Sequence, residues 1–401
     1  MTLSISWQWL SSIHESPEVR ETGAKLKITL GQEVLTRNVD EWSKTVSDDV
    51  RLSAYPLALW FASNWWRLRW EPLPTTLPSL SWRMSHELGA IGHGYVWPRG
   101  LFASDGEAIQ VWAAPSAKGE PSPVNFLTMA HGVVPADDFE RSIDHFLGGV
   151  IARLEAVGIA ETTLQNLVAE LAEERADANL AAYRRLEAIA GFDAGEGPPE
   201  ILDRLEALIP QAGLNATQEI ATLCISPGSE QVLADTLRIA GESGLQARPA
   251  EVVVSEALQA GVDTDAPAWL RGKDLALRLR QRLTMNGQPI SDGDLYDVMG
   301  ITPQQIDNSA NHVRLPLGLA VRKVQGQLAL HPRRLGSTGF RFELARYLCD
   351  YAMTGEGDRW LPVTDGKTSR QKAQRAFAAE FLCPIEGLRT TPFKVFPPEP
   401  A

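Results

Sequence analysis

Metal-binding and cross-linking side chains are scarce in this chain. Three cysteines in 401 residues, Cys224, Cys349 and Cys383, lack the close spacing of metal ligands. They predict free thiols in a reducing, cytoplasmic setting. The seven histidines are scattered. No Walker loop, GxGxxG turn or Ser/His/Asp order is present, and no repeat of fixed period. The first residues, MTLSISWQWLSS, lack the basic start of a secretory signal. The most apolar window, AYPLALWFASNWW (54–66), is too short to span a bilayer and runs into Arg67 and Arg69. A buried helix and no membrane contact are expected. Basic charge is also short: the formal net charge is −12. That argues against general nucleic-acid affinity.

What is present is unevenly placed. Ten of the twelve tryptophans precede residue 113. Ile5, Trp7 and Trp9 alternate with polar neighbours, as do Leu26, Ile28 and Leu30, predicting half-buried strands. Ser104-Asp105-Gly106 separates two apolar runs and predicts a hairpin. Residues 1–115 therefore read as a Trp-rich α+β domain with a helix over 55–70. Phe139, Ile143, Phe146, Leu147, Val150, Ile151, Leu154 and Val157 follow helical spacing. Thr162 with Gln165 predicts a capping box. Residues 124–262 read as a helical scaffold, and 268–392 as a last unit. Residues 136–210 carry 16 acids against 6 bases, while 331–375 carry 9 bases against 5 acids. Arginine-rich helices pairing with the acidic helices of the same chain is the favoured reading. The fold class expected is α+β, mostly helical.

Two segments of that last unit carry the chemistry-bearing pattern, GFRFELARYLCD (339–350) and SRQKAQRAFAAEFLCP (369–384). Phe340, Leu344, Tyr347, Leu348 and Tyr351 form one apolar stripe, and Phe377, Phe381 and Leu382 another. A strand hairpin over 317–330 and the capped segment PISDGDLYDVMGI stand before them. Over about 120 residues this arrangement resembles the ImmA/IrrE metallopeptidase family. That family writes its first helix as HELxH and its second as an acidic residue followed by AxxFAAELLMP. The resemblance implies a zincin-like helix pair with a small β-sheet. In zincins two histidines at i and i+4 share one helix face and hold zinc, while the glutamate between them serves as general base. Here Phe342 and Arg346 stand at the histidine positions, Gln371 at the acidic ligand, and Glu343 is retained. None of the three replacements is a zinc ligand of that kind. No metal or cofactor is therefore implied, and a non-catalytic, pseudo-metallopeptidase role is expected.

The resemblance further implies a bacterial regulator in stress response, mobile-element control or phage defence, acting on a protein partner. Arg341, Arg346, Arg370, Lys372 and Arg375 would line the former cleft and hold an anion or an acidic partner. For Glu343, an ion pair with Arg346 or a neighbouring arginine is the plainer expectation. One alternative is a metal-dependent hydrolase with a relocated site at His86, Glu87 and His93 in SHELGAIGHG (85–94). Two turns of helix, about 10 Å along the axis, would separate those histidines. Another makes the basic 333–375 segment a nucleic-acid contact. Arginines in WWRLRW (65–70) would stack on bases or, more simply, snorkel from a tryptophan core.

Overall fold

Alternating apolar and polar side chains start the fold, as the sequence predicts. In the computed structural model β1 (Leu3–Trp9) buries Leu3 and Ile5 and pairs antiparallel with β2 (Gly23–Leu30). Between them lies α1 (Pro17–Glu21). The structure describes residues 1–117, 119, 121–225, 229–254, 258, 260–285, 287–307, 317–333 and 337–390. His312 and the end of the expected 268–392 unit lie outside the described residues. The described chain is mixed α+β, and it divides into two compact units, Met1–Leu202 and Asp203–Ala401. Among the described residues no helix is long and apolar enough to cross a membrane.

In the first unit β3 (Glu33–Val34) and β6 (Val50–Ser53) both pair with β2. Between these two in sequence, β4 (Asn38–Asp40) and β5 (Thr45–Ser47) form a second small sheet. The expected helix over 55–70 is two helices, α2 (Ala54–Ser63) and α3 (Trp65–Trp70). Asn64 separates them at φ −105°, and its Nδ2 donates to Trp60 O at 2.8 Å. After α4 (Leu80–His86) comes the predicted hairpin, β7 (Arg99–Ser104) and β8 (Ala108–Ala114). Its turn is held by Asp105 Oδ1, which accepts from Glu107 N and Ala108 N at 3.1 and 2.8 Å. β9 (Val124–Phe126) joins β4, and β10 (Ala130–Pro135) joins β8.

Three helices complete this unit: α5 (Ala136–Ala156), α6 (Thr163–Ala176) with the predicted Thr162–Gln165 capping box, and α7 (Ala178–Ile189). The stripe of α5 is buried at Phe139, Ile143, Phe146, Leu147, Val150 and Leu154. One apolar core runs from Leu3 to Ala188. The expected break between 115 and 124 therefore falls inside a shared core. β10 extends the hairpin sheet beyond the Pro-rich stretch, and α5 lays its stripe against β1 and α2.

α8 (Pro199–Ala212) spans the division between the units. The second unit continues with α9 (Leu214–Ala221), α10 (Ser229–Gly241) and β11 (Leu245–Ala247). β11 pairs with a strand more than eighty residues later, Leu245 opposite Leu330. This ties 203–262 to the C-terminal unit, contrary to the expected break at 262–268. Next come α11 (Ala268–Arg282), α12 (Asp292–Met299) with its Ser291–Asp294 capping box, and α13 (Pro303–Asp307). The predicted hairpin forms as β12 (Gly318–Arg322) and β13 (Leu328–His331). It leads into α14 (Ser337–Met353). A strand follows, β14 (Trp360–Val363), giving the antiparallel order β11-β13-β12-β14. α15 (Ser369–Leu382) and α16 (Ile385–Thr390) close the described chain. α11 crosses α15 so closely that a Cβ at Gly272 would strike the Ala373 carbonyl. Arg280 fastens the crossing, donating to Phe381 O at 2.5 Å.

Candidate functional site

α14 and α15 pack side by side, and their predicted stripes are the core of the second unit. Phe340, Leu344, Tyr347, Leu348, Tyr351, Phe377 and Phe381 are all buried, with Leu382 partly so. Of the three positions that the resemblance aligns with zinc ligands, two meet. Arg346 Nη2 donates to Gln371 Oε1 and, at 2.5 Å, to Thr364 O. Gln371 is fully buried and uses every polar atom. Its Oε1 also accepts from Thr364 N, while its Nε2 donates to Glu219 Oε2 and Pro362 O at 3.0 and 3.1 Å. Glu219 also accepts from Thr368, the N-cap of α15, and burial raises its carboxyl above the ordinary range. Arg346 is 3% exposed and its Nε has no hydrogen-bond partner. Burial, then the charges of Arg375 and Arg333, push its guanidinium down to about 10. A structural knot ties the two helices at this level.

Glu343 sits one turn earlier on α14, 2% exposed. Of the two expected pairings, with Arg346 or with a neighbouring arginine, the structure has the second, with Arg333. Glu343 Oε1 accepts from the backbone N–H of Arg333 at 2.9 Å, while Arg333 Nε approaches Oε2 only to 3.8 Å, too long for a hydrogen bond. Tyr347 Oη lies 3.0 Å from Glu343 Oε1 and 3.1 Å from His331 O. The Tyr347 hydroxyl donates toward both oxygens, which share its one proton. Burial pushes the Glu343 carboxyl above the ordinary carboxylate range, against the lowering pull of Arg333 and Tyr347. The cluster also explains Gly318 on β12, where any Cβ would overlap Glu343 Oε1 and Tyr347 Oη.

The other basic residues do not gather in a cleft. Arg370 Nε and Nη2 grip both Asp350 oxygens at 2.8 Å, and its Nη1 donates to Asp358 at 2.9 Å. Burial opposes this guanidinium's charge, but Asp350 and its neighbours overcome the cost and raise its pKa. Arg341 pairs with Asp292 and donates to Ile290 O. Arg375 donates to Gly366 O, and Lys372 is half-buried. These arginines pair within the second unit, with Asp292, Asp350 and Asp358, rather than with the 136–210 helices. Asp365 takes Arg333 in the same way.

Phe342 parts company with Arg346 and Gln371. It lines an apolar cleft of about 480 Å³ together with Pro289, Gly339, Arg341, Leu382 and Cys383. A cleft of that size falls in the roughly 300–1,000 Å³ range of small-molecule sites. Residue type alone gives no signal for it: Phe342 breaks a ligand pattern, and only the arrival of the α15 C-terminus supplies the opposite wall.

In the first unit the alternative metal residues do not come together as a ligand set. His86 is completely buried, stacked on Trp82 at 4.1 Å. Its Nδ1 faces Phe102 O and its Nε2 faces Glu71 Oε2, both at 2.9 Å. Arg67 Nε donates to the same Glu71 oxygen at 2.6 Å, and Arg67 Nη1 reaches Ser81, Ser85 and Asp193. Glu87 is paired with Arg83, and His93 lies exposed in a loop at φ 55°. Among the described residues no group of three His, Cys, Asp or Glu side chains is placed to hold a metal. Glu71 was invisible as a partner in sequence, since it lies fifteen residues from His86. No family model, no curated protein and no solved structure matches the chain.

Proposed function

We propose that this is a non-catalytic, peptidase-like regulatory protein that works by holding a polypeptide partner. The resemblance of 339–384 to the ImmA/IrrE helix pair motivates the fold reading, zincin-like in the second unit. One observation carries the functional reading: Arg346 and Gln371, at two ligand positions, satisfy each other in a buried knot, while Phe342, at the third, faces an apolar cleft. A closed knot leaves no polar atoms directed at a metal, and an apolar cleft suits an aliphatic or aromatic side chain of a partner. Glu343, buried and poised to be neutral, is poorly suited to act as a general base. The setting implied is cytoplasmic and bacterial: stress response, mobile-element control or phage defence.

The test is metal analysis of the purified full chain with an assay on casein, alongside the Phe342→Glu variant in a cell-based regulatory readout. Substoichiometric zinc, no cleavage and loss of regulation in Phe342→Glu are expected. Tightly bound zinc that tracks with proteolysis overturns the reading.

A further inference from the structure

The first unit contains a cluster of arginines and tryptophans in which one guanidinium has no carboxylate partner. Trp70, the last residue of α3, has Arg69 Cζ and Arg185 Cζ each 3.7 Å from its ring centroid. Two guanidinium groups cannot share one face at that distance, so they bracket the indole from opposite sides. The arginines around them have carboxylates. Arg69 pairs with Glu140 at 2.5 Å, and Arg175 with Asp144 at 3.0 Å. Arg184 holds Glu174 and Glu187 at 2.6 and 2.8 Å. Arg67 takes Glu71 and Asp193 at 2.6 and 3.0 Å.

Arg185 is different. Among the described residues it makes no ion pair and no hydrogen bond; its contact is the stack on Trp70. Its Nε is buried without an acceptor, and so is Trp70 Nε1, leaving two orphaned donors on stacked groups. The Nη atoms are not among the buried orphans, so this edge of the guanidinium reaches solvent. Burial, with Arg69 adding like charge, pushes Arg185 down to about 10. Arg185 has no carboxylate of its own, and the two donors lack acceptors.

We propose that the outer edge of Arg185, stacked on Trp70 and backed by Arg69, is a binding site for a small oxyanion, a carboxylate or a phosphate group. A planar guanidinium offers two parallel N–H bonds to such an anion. The anion neutralises the second guanidinium of the stack, and a small rotation of the indole presents Trp70 Nε1–H to a further oxygen. The site is independent of the cleft in the second unit.

Nuclear magnetic resonance of the full chain tests this through the Arg185 Nε–H and Trp70 Nε1–H signals. Inorganic phosphate and acetate are titrated separately against sodium chloride of equal ionic strength. Saturable shifts of both signals with phosphate, acetate or both are expected, and the stronger anion names the ligand class. Arg185→Gln, with the remaining spectrum unchanged, is expected to weaken binding about tenfold or more, and Arg185→Lys to weaken it less, since charge survives without the fork. Shifts that do not saturate, that chloride reproduces, or that persist in Arg185→Gln overturn the assignment. If Arg185→Gln fails to fold, the wild-type titration against chloride decides alone.

Discussion

Arg346→Met is expected to destabilise the second unit only modestly, although it deletes a fully enclosed charge. Burial lowers the Arg346 pKa well below the ordinary guanidinium value, to about 10. At about 1.4 kcal/mol per pH unit, carrying that charge costs roughly 3 kcal/mol at neutral pH. Against this stand two hydrogen bonds from Nη2, to Thr364 O and Gln371 Oε1. Bonds from a charged donor contribute about 1.5–3 kcal/mol each. Gln371 Oε1 keeps its bond from Thr364 N, so Thr364 O is the acceptor left alone. The two bonds exceed the cost by at most about 3 kcal/mol, and methionine retains most of the packed stem. The net change expected is a loss of less than about 3 kcal/mol. Native-state hydrogen exchange of α15 amides is the assay, because the two units need not unfold together and most tryptophans report on the first. Were Arg346 half of a tight buried ion pair with Glu343, its removal would cost about 3–5 kcal/mol. A loss above about 3 kcal/mol in α15 protection would refute the balance drawn here.

Glu343→Gln tests the protonation of the buried carboxyl. Its pKa is raised on folding, so its contribution to stability is complete below the unfolded value of 4.5 and falls as pH rises through the folded value. The stability of wild type relative to Glu343→Gln is therefore expected to decline from pH 4 to pH 8; a rise over that interval in the same exchange assay contradicts the assignment. Gly318→Ala forces a Cβ onto Glu343 and Tyr347 and is expected to destabilise the second unit by about 2 kcal/mol or more, with protection lost first in β12 and α14. His86→Ala orphans Phe102 O, leaves Glu71 with Arg67 alone and opens a hole against Trp82. A loss of about 3 kcal/mol is expected in urea unfolding followed by tryptophan fluorescence. Ten of the twelve tryptophans lie in that unit, so a change under about 1 kcal/mol would show the network to be dispensable.

The elements legible in sequence are those whose pattern is local. The α5 stripe, the capping boxes at Thr162 and Ser291, and the Ser104–Gly106 turn each complete their hydrogen bonds or their burial within a few residues. So do the α14 and α15 stripes, whose spacing alone fixed which side chains are buried. What escaped was settled at long range. β11 and β14 are short, Pro362 stands inside one of them, and both exist because β13 and β12 offer open edges. The unit boundary moved for the same reason. At the candidate site the divergence is instructive. Three positions grouped by one motif serve two roles, since Arg346 turns to the N-terminal half of α15 and Phe342 to its C-terminal end. Spacing says which residues share a helix face; only the partner helix decides what that face meets. Of the two charge readings, the arginine-lined cleft fails in the same way. A run of arginines looks like a patch in sequence, but Arg370 is spent on Asp350 and Asp358, whereas Arg185, unremarkable in sequence, lacks a carboxylate. Local density of charge is thus a poor guide to free charge, because a folded chain positions its acids independently of their place in sequence.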